Sequence, residues 1–85
     1  MDSVYKALAD PNRRKILEIL KIRDMPVHAI AMHFDITGAS LSHHLDILKR
    51  ARLIISQRQG RNIVYSLNTS VFEAVVSALI SVFQK

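Results

Sequence analysis

The chain has 85 residues, with 12 Lys and Arg against 7 Asp and Glu, four His and no Cys, giving a formal charge of +5 at pH 7. That length allows one domain, expected over residues 1–85, and the lack of cysteine excludes disulfide stapling. The basic balance directs attention to an anionic partner, nucleic acid first, with an acidic membrane surface or acidic protein as alternatives.

A core of this size buries only about 60% of the surface its unfolded chain exposes. Yet 49% of the residues are hydrophobic, more than one small core hides, so a homodimer sharing apolar faces is expected. The longest apolar stretch, Val71 to Phe83, carries Glu73, Ser77 and Ser81. It is shorter than the ~20 residues of a membrane span, so no membrane insertion is expected. Asp2 stands where a signal peptide would be positively charged. Together with the missing cysteines, this sets the expectation of a cytoplasmic protein.

The first predicted element is a short helix from Asp2 to Ala9, with Val4, Tyr5 and Leu8 at helical spacing. Asp10-Pro11 restarts the chain, since Asp caps a first turn and Pro suits the first helical position. The second helix runs to about Ile22 on a stripe of Ile16, Leu17, Ile19 and Leu20. Arg23 to Pro26 reads as a turn, with Pro26 opening a third helix, Val27 to Phe34, that faces Ile30, Ala31 and Phe34 inward. After Asp35-Ile36, Thr37 caps a fourth helix ending near Ala51, whose Leu41, Leu45 and Leu48 lie at i, i+4 and i+7.

The pattern then changes. "LIISQRQ" and "NIVYSL" are β-rich runs joined around Gly60 and predict a hairpin. Asn68 or Thr69 caps a last helix, Ser70 to Phe83, apolar almost all round: Val71, Phe72, Val75, Val76, Leu79, Ile80, Val82 and Phe83. Such a helix needs cover on more than one side, most simply from a second subunit. Four helices, a hairpin and a helix make a mainly α fold, α-α-α-α-β-β-α. A hairpin directly after a helix-turn-helix marks a winged helix.

Three segments, "ALADPNRRKILEIL", "MPVHAIAMHFDITGASLSHHLDILKRARLI" and "RQGRNIVYSLN", resemble the ArsR-type (ArsR/SmtB) winged-helix repressors of bacteria, in the family's order and over nearly the whole chain. Within that family the likeness is to the small metal-free autorepressors of the SdpR-like type. The resemblance implies a homodimer, joined through its first and last helices, that binds an operator and blocks transcription. The chain departs from the family pattern at Arg52, where Gly is usual after the recognition helix. A left-handed Arg52 should cost roughly 1 kcal/mol. It departs again at Gly38, where a polar residue is commoner and could touch DNA.

The family's sensing members carry Cys pairs on the third helix or Asp/His/Glu clusters on the last. Here His28 and His33 are five apart, which points them to different sides, and the last helix offers only Glu73. His43 and His44 are neighbours that diverge around the helix. Zinc needs three or four converging ligands, so neither a metal nor another cofactor is expected. Ser40 lies three and four residues before His43 and His44, the spacing of a nucleophile and base. Catalysis also needs an orienting third group and a cleft, and the residues suggest neither.

For DNA, the recognition helix of a helix-turn-helix sets its N-terminal residues on major-groove base edges. With the leucines inward, Ala39, Ser40, Ser42 and His43 face out. His44 divides evenly between a DNA contact and packing. Arg58, Gln59, Arg61 and Asn62 on the wing suit a backbone or minor-groove grip. A solvated, charge-blunted hairpin is the plainer alternative there. The expected function is a DNA-binding transcriptional repressor on an inverted-repeat operator, with recognition helix 38–51 in the major groove and the wing near 58–62. The expected dimer interface is Val4, Tyr5, Leu8, Val71, Phe72, Val75, Val76, Leu79, Val82 and Phe83. A ligand- or metal-released sensor and a protein-interaction module are the alternatives on this fold. A regulatory protein is a further candidate partner. Arg13, Arg14 and Lys15 begin the second helix, where the macrodipole disfavours cations. One arginine is expected to pair with an acidic side chain such as Asp46, or else these side chains reach operator phosphate.

Overall fold

Helices α1 (Asp2–Leu8) and α2 (Pro11–Ile22) are separated by Ala9 and Asp10. In the computed structural model, which describes residues 2–84, the Asp10 carboxylate accepts the backbone N–H groups of Asn12 (2.8 Å) and Arg13 (3.2 Å). It therefore satisfies two of the donors that a helix start leaves free, while Pro11 has none to lose. Met1 and Lys85, the ends of the expected 1–85 domain, lie outside the described residues. Ile16, Leu17, Ile19 and Leu20 of α2 are buried, as their spacing requires.

Met25 and Pro26 form a short strand, β1, in place of the expected turn. They pair antiparallel with Tyr65 and Val64 of the wing. Proline cannot donate to a ladder, and it is accommodated because β1 lies at the edge of the sheet. Pro26 thus occupies the N-cap of α3 (Val27–Ala31), not its first helical position. The helix also stops before the expected Phe34. The N–H groups of His33 and Phe34 bond three residues back, to Ile30 and Ala31, so the chain tightens into turns.

Helix α4 (Gly38–Arg50) starts at Thr37, whose Oγ1 accepts the Ser40 N–H at 3.0 Å. Leu41, Leu45 and Leu48 are buried. At its end, Arg52 N–H bonds Lys49 C=O and Leu53 N–H bonds Leu48 C=O, both at 3.0 Å. This is a Schellman turn, which requires a left-handed residue past the helix end. That residue is Arg52, with φ 61°. The turn throws Leu53 and Ile54 into the core, where both are almost fully buried.

Strands β2 (Ile54–Gln59) and β3 (Asn62–Leu67) form the wing in register from Ile54–Leu67 to Gln59–Asn62. The sheet order is β1-β3-β2. The two-residue turn has Gly60 at φ 62° and no positive φ at Arg61, the pattern of a type II′ turn that needs Gly first. Asn68 N–H bonds Leu53 C=O at 3.0 Å and closes the hairpin base. Asn68 occupies the N-cap of α5 (Thr69–Phe83), though its side chain makes no capping bond.

One core collects Val4 and Ala7 of α1, the α2 stripe, Met25, Ile30, the α4 leucines, Leu53, Ile54 and Val75. Val75 is the single buried residue of α5. Val76, Leu79, Ile80, Val82 and Phe83 remain exposed, Phe83 at 86%. The architecture is a winged helix-turn-helix, with α3 and α4 as the helix pair and an apolar last helix left largely uncovered.

Because Gly adopts the left-handed region without the Cβ penalty, Arg52→Gly is expected to raise stability by about 1 kcal/mol. The measurement is the midpoint of urea unfolding. An unchanged or lowered midpoint would mean that Arg52 makes compensating contacts.

Candidate nucleic-acid interface

The buried leucines fix the rotation of α4. At about 100° per residue, Ala39, His43, Asp46 and Arg50 then share the opposite, outer side. All four are exposed, as is Ser42, while Ser40 is half-buried. Asp46 pairs with Arg50 across one turn at 2.9 Å, not with an arginine of α2. The Asp46 carboxylate, the third group that a Ser40–His43 reading would need, is thus engaged with Arg50.

Arg58 and Gln59 end β2, Arg61 sits in the turn and Asn62 starts β3; all four are exposed. Arg58 lies beside its own turn, with Nε 3.5 Å from Gly60 O. Between the wing and α4 runs an open groove of about 300 Å³, lined by Val27, Ser42, Leu45, Asp46, Lys49, Ile63 and Tyr65. It brings Ser42 of the recognition helix and strand β3 to two sides of one concavity. Lys49 and Tyr65 line it too, and neither stands out in the sequence. Lys49 sits in an ordinary basic helix end, and Tyr65 in a strand whose partner across the groove is far away in the chain.

His44 does not join this surface. It is 8% exposed and is the one buried polar residue among those described. The reason is angular: at about 100° per residue it flanks the leucine stripe, about 40° beyond Leu48 around the helix, so the rotation that buries the leucines buries it too. Its Nδ1 is 3.4 Å from Nη1 of Arg13.

The basic start of α2 likewise has an occupation other than the expected carboxylate or phosphate. Arg13 donates from Nε to Ala7 O (2.7 Å) and from Nη2 to Lys6 O (3.0 Å). Arg14 donates from Nη1 to Leu8 O at 2.7 Å. Three carbonyls at the end of α1 are therefore closed by guanidinium groups, and the negative end of the α1 dipole offsets the unfavourable start of α2. Lys15 reaches His33 O at 2.6 Å and lies over the Phe34 ring, 4.7 Å from its centre.

Of the expected dimer residues, Val4 and Val75 are buried within the protomer's own core. They lie on the inner sides of α1 and α5. Leu8, Val71 and Phe72 are half-buried against that core, while Tyr5, Val76, Leu79, Val82 and Phe83 are exposed. Among the described residues, no three His, Asp or Glu side chains gather closely enough to hold a metal ion. No described helix is long and apolar enough to cross a membrane.

A recognition helix and wing bordering one groove, on this element order, invite comparison with known regulators. Residues 10–56 match the model of the bacterial regulatory protein arsR family. The chain belongs to the ArsR family. It is 47% identical over 85 residues to the transcriptional repressor SdpR of Bacillus subtilis, covering all of this chain and 94% of that protein. It is 36% identical over 67 residues to the transcriptional repressor SmtB homolog of Synechocystis, covering 79% of this chain but 51% of that longer protein. Among solved structures, an ArsR-like transcriptional regulator from Rhodococcus superposes with a TM-score of 0.88 at 26% identity, over 95% of this chain and 74% of that one. A homodimeric winged helix-turn-helix DNA-binding domain from Mycobacterium bovis superposes at 0.76 and 28% identity, over 94% and 77%. The family comprises transcriptional regulators, so this ArsR member is not an enzyme.

The junction at Asp10 titrates. Burial alone would raise its carboxyl pKa. The backbone bonds from Arg13 and Asn12 outweigh this, with electrostatic help from His44 and Arg13, and hold it below the ordinary value. A carboxyl lowered on folding stabilises above its unfolded pKa, and that contribution is lost as pH falls through the folded value. Asp10→Ala is therefore expected to cost about 1 kcal/mol near neutral pH. The difference from wild type in urea-unfolding free energy should shrink on acidification. A difference that stays constant down to pH ~2 would mean that the cap's charge is irrelevant.

Proposed function

We propose that this ArsR-family chain is a homodimeric, sequence-specific DNA-binding repressor of transcription, acting in the cytoplasm on an inverted-repeat operator. The observation that carries this reading is the orientation of α4. With Leu41, Leu45 and Leu48 buried, Ala39, Ser42 and His43 stand exposed on its N-terminal half, beside a wing bearing Arg58 and Arg61. Ala39 suits a thymine methyl. Ser42 and His43 suit base edges or phosphate, with Ser40 at the margin. Arg58, Gln59, Arg61 and Asn62 grip the sugar-phosphate backbone or minor groove. His44 is left out of the contact set because it is buried.

The dimer is supported by the apolar surface that one chain leaves open. Tyr5 on α1 and Val76, Leu79, Ile80, Val82 and Phe83 on α5 are exposed, and a soluble monomer rarely leaves such a patch uncovered. The M. bovis relative is homodimeric, and the B. subtilis relative, matched over the whole of this chain, is a transcriptional repressor. Two α4 helices in such a dimer would read half-sites roughly one DNA turn or a little more apart. We further infer that regulation runs without a bound metal, through a regulatory protein or protein level; His28 and His33 lie five apart and α5 carries only Glu73 among acidic residues.

Selection from random duplexes with the purified protein is expected to return an inverted repeat. Affinity for it should fall about 10³–10⁵-fold between 50 and 200 mM salt if the dimer makes ~6–10 phosphate contacts. His43→Ala should cost about 1–3 kcal/mol on that operator. Arg61→Ala should weaken all duplexes alike and lower the salt slope by about 1. Leu79→Glu should give folded monomers by sedimentation. Binding that ignores salt, wild-type affinity from His43→Ala, or a dimer from Leu79→Glu would each refute the corresponding assignment. A zinc-induced loss of operator binding would overturn the metal-free reading.

A further inference from the structure

Resting on the DNA-binding reading above, we propose that Arg13 and His44 form a positioning link that sets the angle of the recognition helix against the dimer helix, and so fixes the half-site spacing the dimer accepts. Arg13 belongs to α2, but its guanidinium touches neither solvent-facing acid nor its own helix. Nε and Nη2 take two successive carbonyls of α1, Ala7 O at 2.7 Å and Lys6 O at 3.0 Å. Two bonds from a rigid planar fork leave its plane little freedom. The remaining nitrogen, Nη1, then points across to Nδ1 of His44 on α4, at 3.4 Å.

Arginine can only donate, so in the neutral imidazole the Nδ1 lone pair accepts and the proton sits on Nε2. The link thus selects one tautomer of the one buried polar side chain among the described residues. A satisfied buried polar pair gives a directional constraint that apolar packing lacks, so its placement here fits an orienting role. One side chain thereby ties α1, α2 and α4 together. Helix α1 packs on both α2 and α4, yet it has only seven residues. Apolar contacts alone would let it roll, since they are non-directional.

In the proposed dimer, α1 lies at the subunit junction through Tyr5, and α4 carries the DNA face. A small rotation of α4 against α1 is doubled by the two-fold axis. DNA converts such a change into a discrete penalty, because each base pair advances about 3.4 Å along the helix. The Arg13–His44 link therefore acts on which spacing is bound, beyond any effect on how tightly.

The test titrates the full-length chain against the selected inverted repeat with its half-sites at the preferred spacing, one base pair closer and one base pair further. His44→Asn keeps an acceptor near the Nδ1 position, and His44→Leu keeps the bulk without it. Neither touches the bonds of Arg13 to α1, which keeps the test valid even if Arg13→Lys proves too unstable to assay. His44→Leu is expected to reduce the preference for the best spacing by about threefold to tenfold, and His44→Asn to restore it toward wild type. Arg13→Lys should match His44→Leu, and the double variant should be no worse than either single one. Equal loss of affinity at all three spacings would reduce the link to fold stability and overturn the inference. A wild-type protein that binds its operator without spacing preference would overturn it as well. Failure of the wild type to bind any duplex would instead sink the DNA-binding reading, and this inference with it.

Discussion

The five helices of the described residues have many ends, and each end leaves backbone groups that helical bonding cannot satisfy. How those ends are closed governs the rest of the structure. The carbonyls ending α1 take Arg13 and Arg14; the amides opening α2 take Asp10. Thr37 opens α4, and a left-handed Arg52 ends it. Each closure also sets a direction. The Asp10 junction folds α1 back onto α2 and α4, and the Arg52 turn sends Leu53 and Ile54 into the core and the next strands into the wing. The placement of α4 and the wing is a consequence of these few polar contacts acting on an otherwise non-directional apolar core.

That core is one-sided. The stripes of α2 and α4, with Ile30, Leu53 and Ile54, fill it, and α5 contributes only Val75 fully. The last helix therefore carries its remaining apolar residues outward. In a winged helix of this size, the same shortage of interior volume that makes the monomer marginal leaves the apolar surface that a second copy would cover in the proposed dimer. Fold stability and assembly become one problem: the residues that would stabilise a larger monomer are the ones available to a partner.

Periodic features were legible without coordinates. The leucines of α4, the stripe of α2, the Asp10-Pro11 and Thr37 starts and the Gly60 turn each leave a mark within a few residues, because helix period, capping chemistry and φ preference are local. Strand β1 was not legible. Two residues carry no alternation, and Met25-Pro26 is extended only because Tyr65 and Val64, some forty residues on, offer it an edge. The third helix ended early for a similar reason, as its last turn tightened to lead into the α4 cap. The basic triplet at Arg13 misled because a salt bridge is the usual expectation for cations in a polar segment. The partners were carbonyls, which every residue has and no sequence pattern advertises.

The sequence by itself determined that this is a basic, cysteine-free winged helix-turn-helix and that Ala39, Ser42 and His43 of α4 turn outward while the leucines turn in; Ser40, expected outward with them, is half-buried. Such properties follow from spacing along one element. Only the tertiary structure decided that His44 packs inside, that Arg13 reaches it while holding the end of α1, that Val4 and Val75 serve the protomer's own core, and that a groove joins α4 to the wing. All of these depend on distances between residues far apart in the chain. Such distances are settled by how the elements pack together, which the period of any single element does not encode.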